Sequence, residues 1–182
     1  MKRSIRHTLA VLALAAASIG HARPGVGDVP PDYLGRDRDG HDVRVSALRG
    51  KVVIVSFWAS WCSYCMKELP TLAALQKMKG PADLQVIGVS HDDNLDTFRK
   101  IRSRWKNLDV ILTYDAGDHR IANPYAVDGI PHMVMIGRDG RIAHVHVGYG
   151  EDMVGQILDE VDELLDQPAP APAAPAPATP AS

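Results

Sequence analysis

The sequence predicts a mixed α/β domain, a central sheet flanked by helices and preceded by a small β-hairpin. Three observations carry this. Residues 52–58 (Val-Val-Ile-Val-Ser-Phe-Trp) form a nearly unbroken apolar, β-branched run, the pattern of a strand buried on both faces. Directly after it, Met66, Leu69, Leu72, Ala73, Leu75 and Met78 recur at helical spacing. Strand-like and helix-like segments then alternate, and the folded part closes with a hairpin and an amphipathic helix.

In chain order, residues 23–30 are rich in Gly and Pro and read as a flexible lead-in to a domain spanning 31–166. Tyr33-Leu34 and residues 41–45 flank the turn-forming Asp39-Gly40 and predict the hairpin. Residues 46–50 form a short turn before the central strand, and the helix after it is expected over 62–79, kinked at Pro70. A strand is expected over 83–90 and a helix over 95–105, where Leu95, Phe98, Ile101, Arg102 and Trp105 share helical spacing. Residues 91–94 form its entry signal, and Arg99, Lys100, Arg102, Arg104 and Lys106 give it a solvated charged face. A strand over 108–112 and a helical piece over 120–127 follow. Residues 133–136 and 142–147 flank the turn 137–140, and Met153, Ile157, Leu158, Val161, Leu164 and Leu165 mark the last helix.

The ends differ in kind from the domain. Residues 1–22 combine a basic start (Lys2, Arg3, Arg6), an apolar segment from Thr8 to Ile19 and small residues at 20–22, the pattern of a secretory signal peptide cleaved near Ala22. The apolar segment is shorter than a spanning helix needs. Residues 167–182 repeat Pro and Ala without a large apolar side chain and read as a disordered, polyproline-like tail. Cleavage leaves 17 basic against 22 acidic residues, a net charge of −5, which offers no footprint for nucleic acid or anionic lipid. The protein is therefore expected to be exported, periplasmic in a cell that has that compartment.

Both cysteines, Cys62 and Cys65, lie at the junction of the central strand and its helix. A thiol there meets free backbone N–H groups and the positive end of the helix dipole, which favour the thiolate. Three residues apart, the two thiols face one side and can close a small disulfide. A loop this short gives little loop-closure stabilisation, so the spacing points to reversible redox chemistry.

Three stretches, residues 39–65 (Asp-Gly through Trp-Cys-Ser-Tyr-Cys), Glu68-Leu69-Pro70, and 129–142 (Gly-Ile-Pro-His through Gly-Arg-Ile), resemble the thioredoxin superfamily, and within it the exported TlpA/ResA-like thiol-disulfide oxidoreductases. The resemblance implies a thioredoxin-like fold without a cofactor or resident metal. It implies Cys62 as nucleophile and Cys65 as resolving thiol. It also implies a cis Pro131 beside them, with Trp61, Ile130 and His132 at the surface that receives the substrate. Partners would be protein disulfides and dithiols, among them the haem-ligand cysteines of apocytochrome c or the copper-site cysteines of an oxidase assembly factor. A monomer re-reduced by a membrane electron donor is expected. The same chemistry run backwards makes an oxidant or isomerase, and a pair of thiolates also suits a Cu(I) chaperone.

The chain departs from that family pattern at several points. Ser56 stands where thioredoxin carries a buried acid, so a proton acceptor for Cys65 must come from elsewhere. The family places an acid after the next strand, which matches Asp93 or Asp92; either equally suits a helix cap. Ser63-Tyr64 replaces a proline-containing dipeptide and sets an aromatic where it could cover the sulfurs. His132 replaces a usual threonine: beside Cys62 it would stabilise the thiolate when protonated, and otherwise it is a solvated strand-end residue. His144 and His146 share a strand face, as two metal ligands or as surface histidines. Trp58 and Trp105 are expected in the core.

Overall fold

The computed structural model describes residues 23–170, so the signal-peptide reading of 1–22 and all but the first residues of the Pro/Ala tail lie outside the described residues. Strands β1 (Tyr33–Arg36) and β2 (Asp42–Arg44) form the antiparallel hairpin. Its turn is held by the Asp37 carboxylate, which accepts from the amides of Asp39 and His41. The main sheet has five strands in the order β5-β4-β3-β6-β7. They are β3 (Val52–Trp58), β4 (Leu84–Ser90), β5 (Ile111–Tyr114), β6 (His132–Ile136) and β7 (Ile142–Val147). β3, β4 and β5 run parallel, whereas β6 and β7 are antiparallel additions, so the sheet is mixed.

All of β3 is buried, and its pleat divides the core. Val52, Ile54 and Trp58 face helices α1 (Cys65–Lys79) and α3 (Val154–Asp166), meeting Leu69, Leu72, Ile157 and Val161. Val53, Val55 and Phe57 face the other way, onto Leu34, Val43, Ile121 and Tyr125. Trp58 is fully buried in the core as the sequence implies, and Trp105 packs on it at 5.1 Å between ring centroids but is only partly buried, at the edge of that core. On helix α2 (Leu95–Arg104) Phe98 is buried, Arg102 lies over its ring, and Arg99, Lys100 and Arg104 are exposed.

Several boundaries differ from those the sequence predicts. Helix α1 starts at Cys65, since residues 62–64 form the turn that enters it. β5 starts three residues later and ends two later than expected because a turn continues past α2, with the Leu108 amide donating to the Trp105 carbonyl, and because Thr113 and Tyr114 complete the pairing with β4. The helical piece expected over 120–127 is a single 3-10 turn, Asn123–Tyr125, ended by Ala126 in the left-handed region. The lead-in is docked rather than free: the Gly27 amide donates to the Ile142 carbonyl at 2.8 Å, and the Ile142 amide donates to the Asp28 carbonyl at 3.0 Å. Its backbone thus satisfies groups at the start of β7 that an edge strand leaves open.

Gly88, on β4 between Trp58 and α1, shows how tightly the layers meet. A Cβ there would lie 2.9 Å from Leu112 Cδ2, 3.1 Å from Leu69 Cδ2 and 3.2 Å from Trp58 Nε1. Gly88→Ala is expected to lower stability by about 1–3 kcal/mol through overpacking, seen in urea as a reduced midpoint at unchanged slope.

Candidate active site

The parallel strand β3 delivers the chain to the C-terminal end of the sheet, and residues 59–64 turn it into α1. Cys62 and Cys65 are joined by a disulfide with a Cα–Cα distance of 5.3 Å. The two sulfurs are not equivalent: Cys62 is 7% exposed, whereas Cys65 is fully buried under the first turn of the helix. The Cys65 amide points at Cys62 Sγ over 3.1 Å, one of the N-terminal helix N–H groups that has no intrahelical acceptor. Beside them Trp61 is 64% exposed and Tyr64 59% exposed, so the Tyr64 ring stands out from the surface instead of covering the sulfurs.

The peptide Ile130-Pro131 is cis. Antiparallel pairing of Phe57 with His132 places Pro131 and Ile130 just beyond the end of β3, beside the loop that carries the cysteines. The Ile130 side chain packs against the cluster that contains both cysteines. Among the described residues its backbone N–H and C=O have no hydrogen-bond partner. Trp61, Ile130 and Pro131 are thus brought to one rim with Cys62.

His132 is a correction. It shares the face of β6 with Val134 and Ile136, on the side of the sheet away from the cysteines, which belong with Met133 and Met135. Its ring meets Phe57 edge-on at 6.0 Å between centroids, and burial holds its pKa below the ordinary histidine value. A neutral imidazole across the sheet does not stabilise a Cys62 thiolate, and it is buried, not a solvated strand-end residue.

Asp93 sits behind the cysteine loop. Its carboxylate accepts from the Ser60 amide at 3.0 Å, the Ser60 hydroxyl at 2.6 Å and the Ser90 hydroxyl at 2.9 Å, tying the end of β4 to the loop before Cys62. Neither Asp92 nor Asp93 caps α2; Asn94 does, accepting from the Thr97 amide. His144 and His146 do share a face of β7, where both meet Glu160 of α3, His146 Nε2 at 2.7 Å and His144 Nδ1 at 3.7 Å.

The residue that sequence reasoning missed is Glu68. It lies three positions after Cys65, hence on the same helical face one turn on. It is fully buried. Ser56, the residue in place of the strand acid, donates its hydroxyl to Glu68 Oε1 at 2.6 Å, while Oε2 has no partner among the described residues. Burial raises the Glu68 pKa to about 7 against the lowering effect of the Ser56 hydrogen bond. The buried acid thus sits on the helix and meets the strand through Ser56. The signal was present in the Glu-Leu-Pro motif, whose acid falls at helical spacing from the second cysteine.

A sheet of this topology, with a dithiol at the start of its first helix and a cis-proline rim, defines a thiol-disulfide oxidoreductase of thioredoxin-like fold. The chain belongs to the Redoxin family, whose model matches residues 26–163. It is 26% identical over 149 residues to the thiol-disulfide oxidoreductase ResA of Geobacillus kaustophilus, covering 76% of this chain and 84% of that one. Among solved structures, a Chlorobium tepidum protein assigned as the thiol:disulfide interchange protein DsbE superposes with a TM-score of 0.69 at 24% identity, over 78% of this chain and 99% of the other. The thioredoxin domain of a Bacteroides vulgatus thiol-disulfide oxidoreductase does so with a TM-score of 0.63 at 26% identity, over 75% and 98%.

The raised Glu68 pKa has a thermodynamic signature. The folded state holds this proton up to about pH 7, whereas the unfolded chain releases it near 4.5. Stability contributed by the neutral form is complete below pH 4.5 and is lost as pH rises through 7. Glu68→Gln, which keeps an acceptor for Ser56 but carries no charge, is expected to gain about 3 kcal/mol relative to the parent between pH 4 and pH 8, measured by urea unfolding of the oxidised forms.

Proposed function

We propose that this protein is an exported, monomeric reductant of protein disulfides that works through Cys62 and Cys65, with Glu68 managing the resolving proton. The observation that carries this is the asymmetry of the pair: Cys62 keeps 7% exposure, while Cys65 is fully buried one helical turn before a buried carboxyl whose pKa is about 7. In the reduced protein the Cys62 thiolate, held by the Cys65 amide and the helix dipole, attacks a partner disulfide. A mixed disulfide forms, and one partner thiolate leaves. Cys65 then gives its proton to ionised Glu68 and attacks Cys62 Sγ. The second partner thiolate departs, and Cys62–Cys65 is left oxidised with two electrons transferred. Glu68 suits this step better than Asp93, whose oxygens are already engaged by Ser60 and Ser90.

Trp61 supplies an exposed aromatic platform, and the unpaired backbone of Ile130 at the cis-proline rim receives an extended substrate segment by strand-like pairing. Substrates of this kind include apocytochrome c dithiols and copper-site cysteines of an oxidase assembly factor, with a membrane dithiol donor returning the electrons. The exported setting rests on the character of residues 1–22.

The reduction potential decides the direction of electron flow. Equilibration of the mature chain with glutathione or dithiothreitol buffers is expected to give about −250 mV or lower; a value near about −120 mV would make the protein an oxidant and overturn the reading. Separately, Cys65→Ser is expected to accumulate a mixed disulfide through Cys62. Glu68→Gln should slow resolution at pH 7 by on the order of 10²-fold, followed by quenched-flow mass analysis.

A further inference from the structure

Strands β4 and β5 deliver a second group of chemistry-bearing side chains to the same end of the sheet. Their parallel register pairs Ser90 with Tyr114, so the next residues, His91 and Asp115, emerge side by side. Backbone bonds fix both: the Asp115 amide donates to the Ser90 carbonyl at 2.9 Å and the His91 amide to the Trp58 carbonyl at 2.7 Å. The chain then turns back, and His119, in the left-handed region at φ 51°, presents its ring to that of His91 at 4.6 Å between centroids. One ring nitrogen of each histidine and one Asp115 oxygen all lie within 4.8 Å of one another.

Two features separate this cluster from ordinary packing. Nδ1 of His91 and Nδ1 of His119 are both buried without a hydrogen-bond partner among the described residues, a cost that native interiors rarely leave uncompensated. The Asp115 carboxylate is held by the amides of Ile121 at 3.1 Å and Ala122 at 2.8 Å, one on each oxygen, which orients it and leaves each oxygen a further lone pair.

We propose that His91, Asp115 and His119 form a binding site for a divalent transition-metal ion of the Zn²⁺ or Cu²⁺ type, with the remaining coordination positions open to water. Two imidazoles and a carboxylate are a donor set such ions take. Tetrahedral ligation places donor atoms about 3.4 Å apart, so the partly exposed His119 ring has only a short distance to close. The site is separate from the dithiol yet mechanically joined to it. His91 is anchored to the end of β3, and two residues on Asp93 braces Ser60 in the cysteine loop.

The test is calorimetric titration of Zn²⁺ into the tag-free full chain with the Cys62–Cys65 disulfide closed, which removes the thiolates as competing ligands. One ion per chain is expected, with affinity falling tenfold or more in His91→Ala and in His119→Asn. Asn is chosen at 119 because it tolerates a left-handed backbone, and circular dichroism verifies that each variant is folded. The double variant His144→Ala/His146→Ala should bind as the parent does. Absence of binding at about 100 μM ion overturns the proposal, as does binding that His119→Asn spares and the double variant abolishes.

Discussion

The whole arrangement depends on a strand that water never touches. Because every residue of β3 is buried, its two-residue alternation has to sort side chains between two cores, and that sorting decides what the cysteines meet. Ser56 falls on the α1 face and therefore reaches Glu68; Phe57, one residue on, falls on the opposite face and receives His132. A histidine adjacent in sequence to the cis-proline is thereby set across the sheet from the cysteines, while an acid on another element lies on their side of it.

Burying Glu68 with a single hydrogen bond is unfavourable for folding and sets its proton affinity. A carboxyl in apolar surroundings resists ionisation, and the Ser56 hydroxyl partly relieves this, leaving the group able to take or give a proton near neutrality. A surface acid in the usual carboxylate range would stay ionised and would be a poor proton carrier at that pH. The same depth that tunes Glu68 keeps Cys65 from solvent, whereas Cys62 retains 7% exposure.

The C-terminal end of the parallel strands concentrates function, as open α/β sheets tend to do. β3 leads to the dithiol loop, β4 to His91 and Asp93, and β5 to Asp115, while β6 begins at the cis-proline rim. Asp93 is the connecting piece: its contacts to Ser60 and Ser90 hold the cysteine loop against β4.

The sequence by itself determined the local elements: the doubly buried strand, the helix that follows the cysteines, the hairpins and the closing amphipathic helix. It also placed Cys62 and Cys65 together at a strand-to-helix junction, a contiguous signal, whereas the cis Pro131 was expected from the family resemblance. Only the tertiary structure decided which distant groups share a space. Ser56 and Glu68 are twelve positions apart and meet across the β3–α1 interface. His91 and Asp115 become neighbours through strand register, and the lead-in becomes ordered by pairing with β7. Periodicity reports which side of an element is apolar. It does not report which element lies opposite, and a carboxyl's proton affinity or an imidazole's partners depend on that.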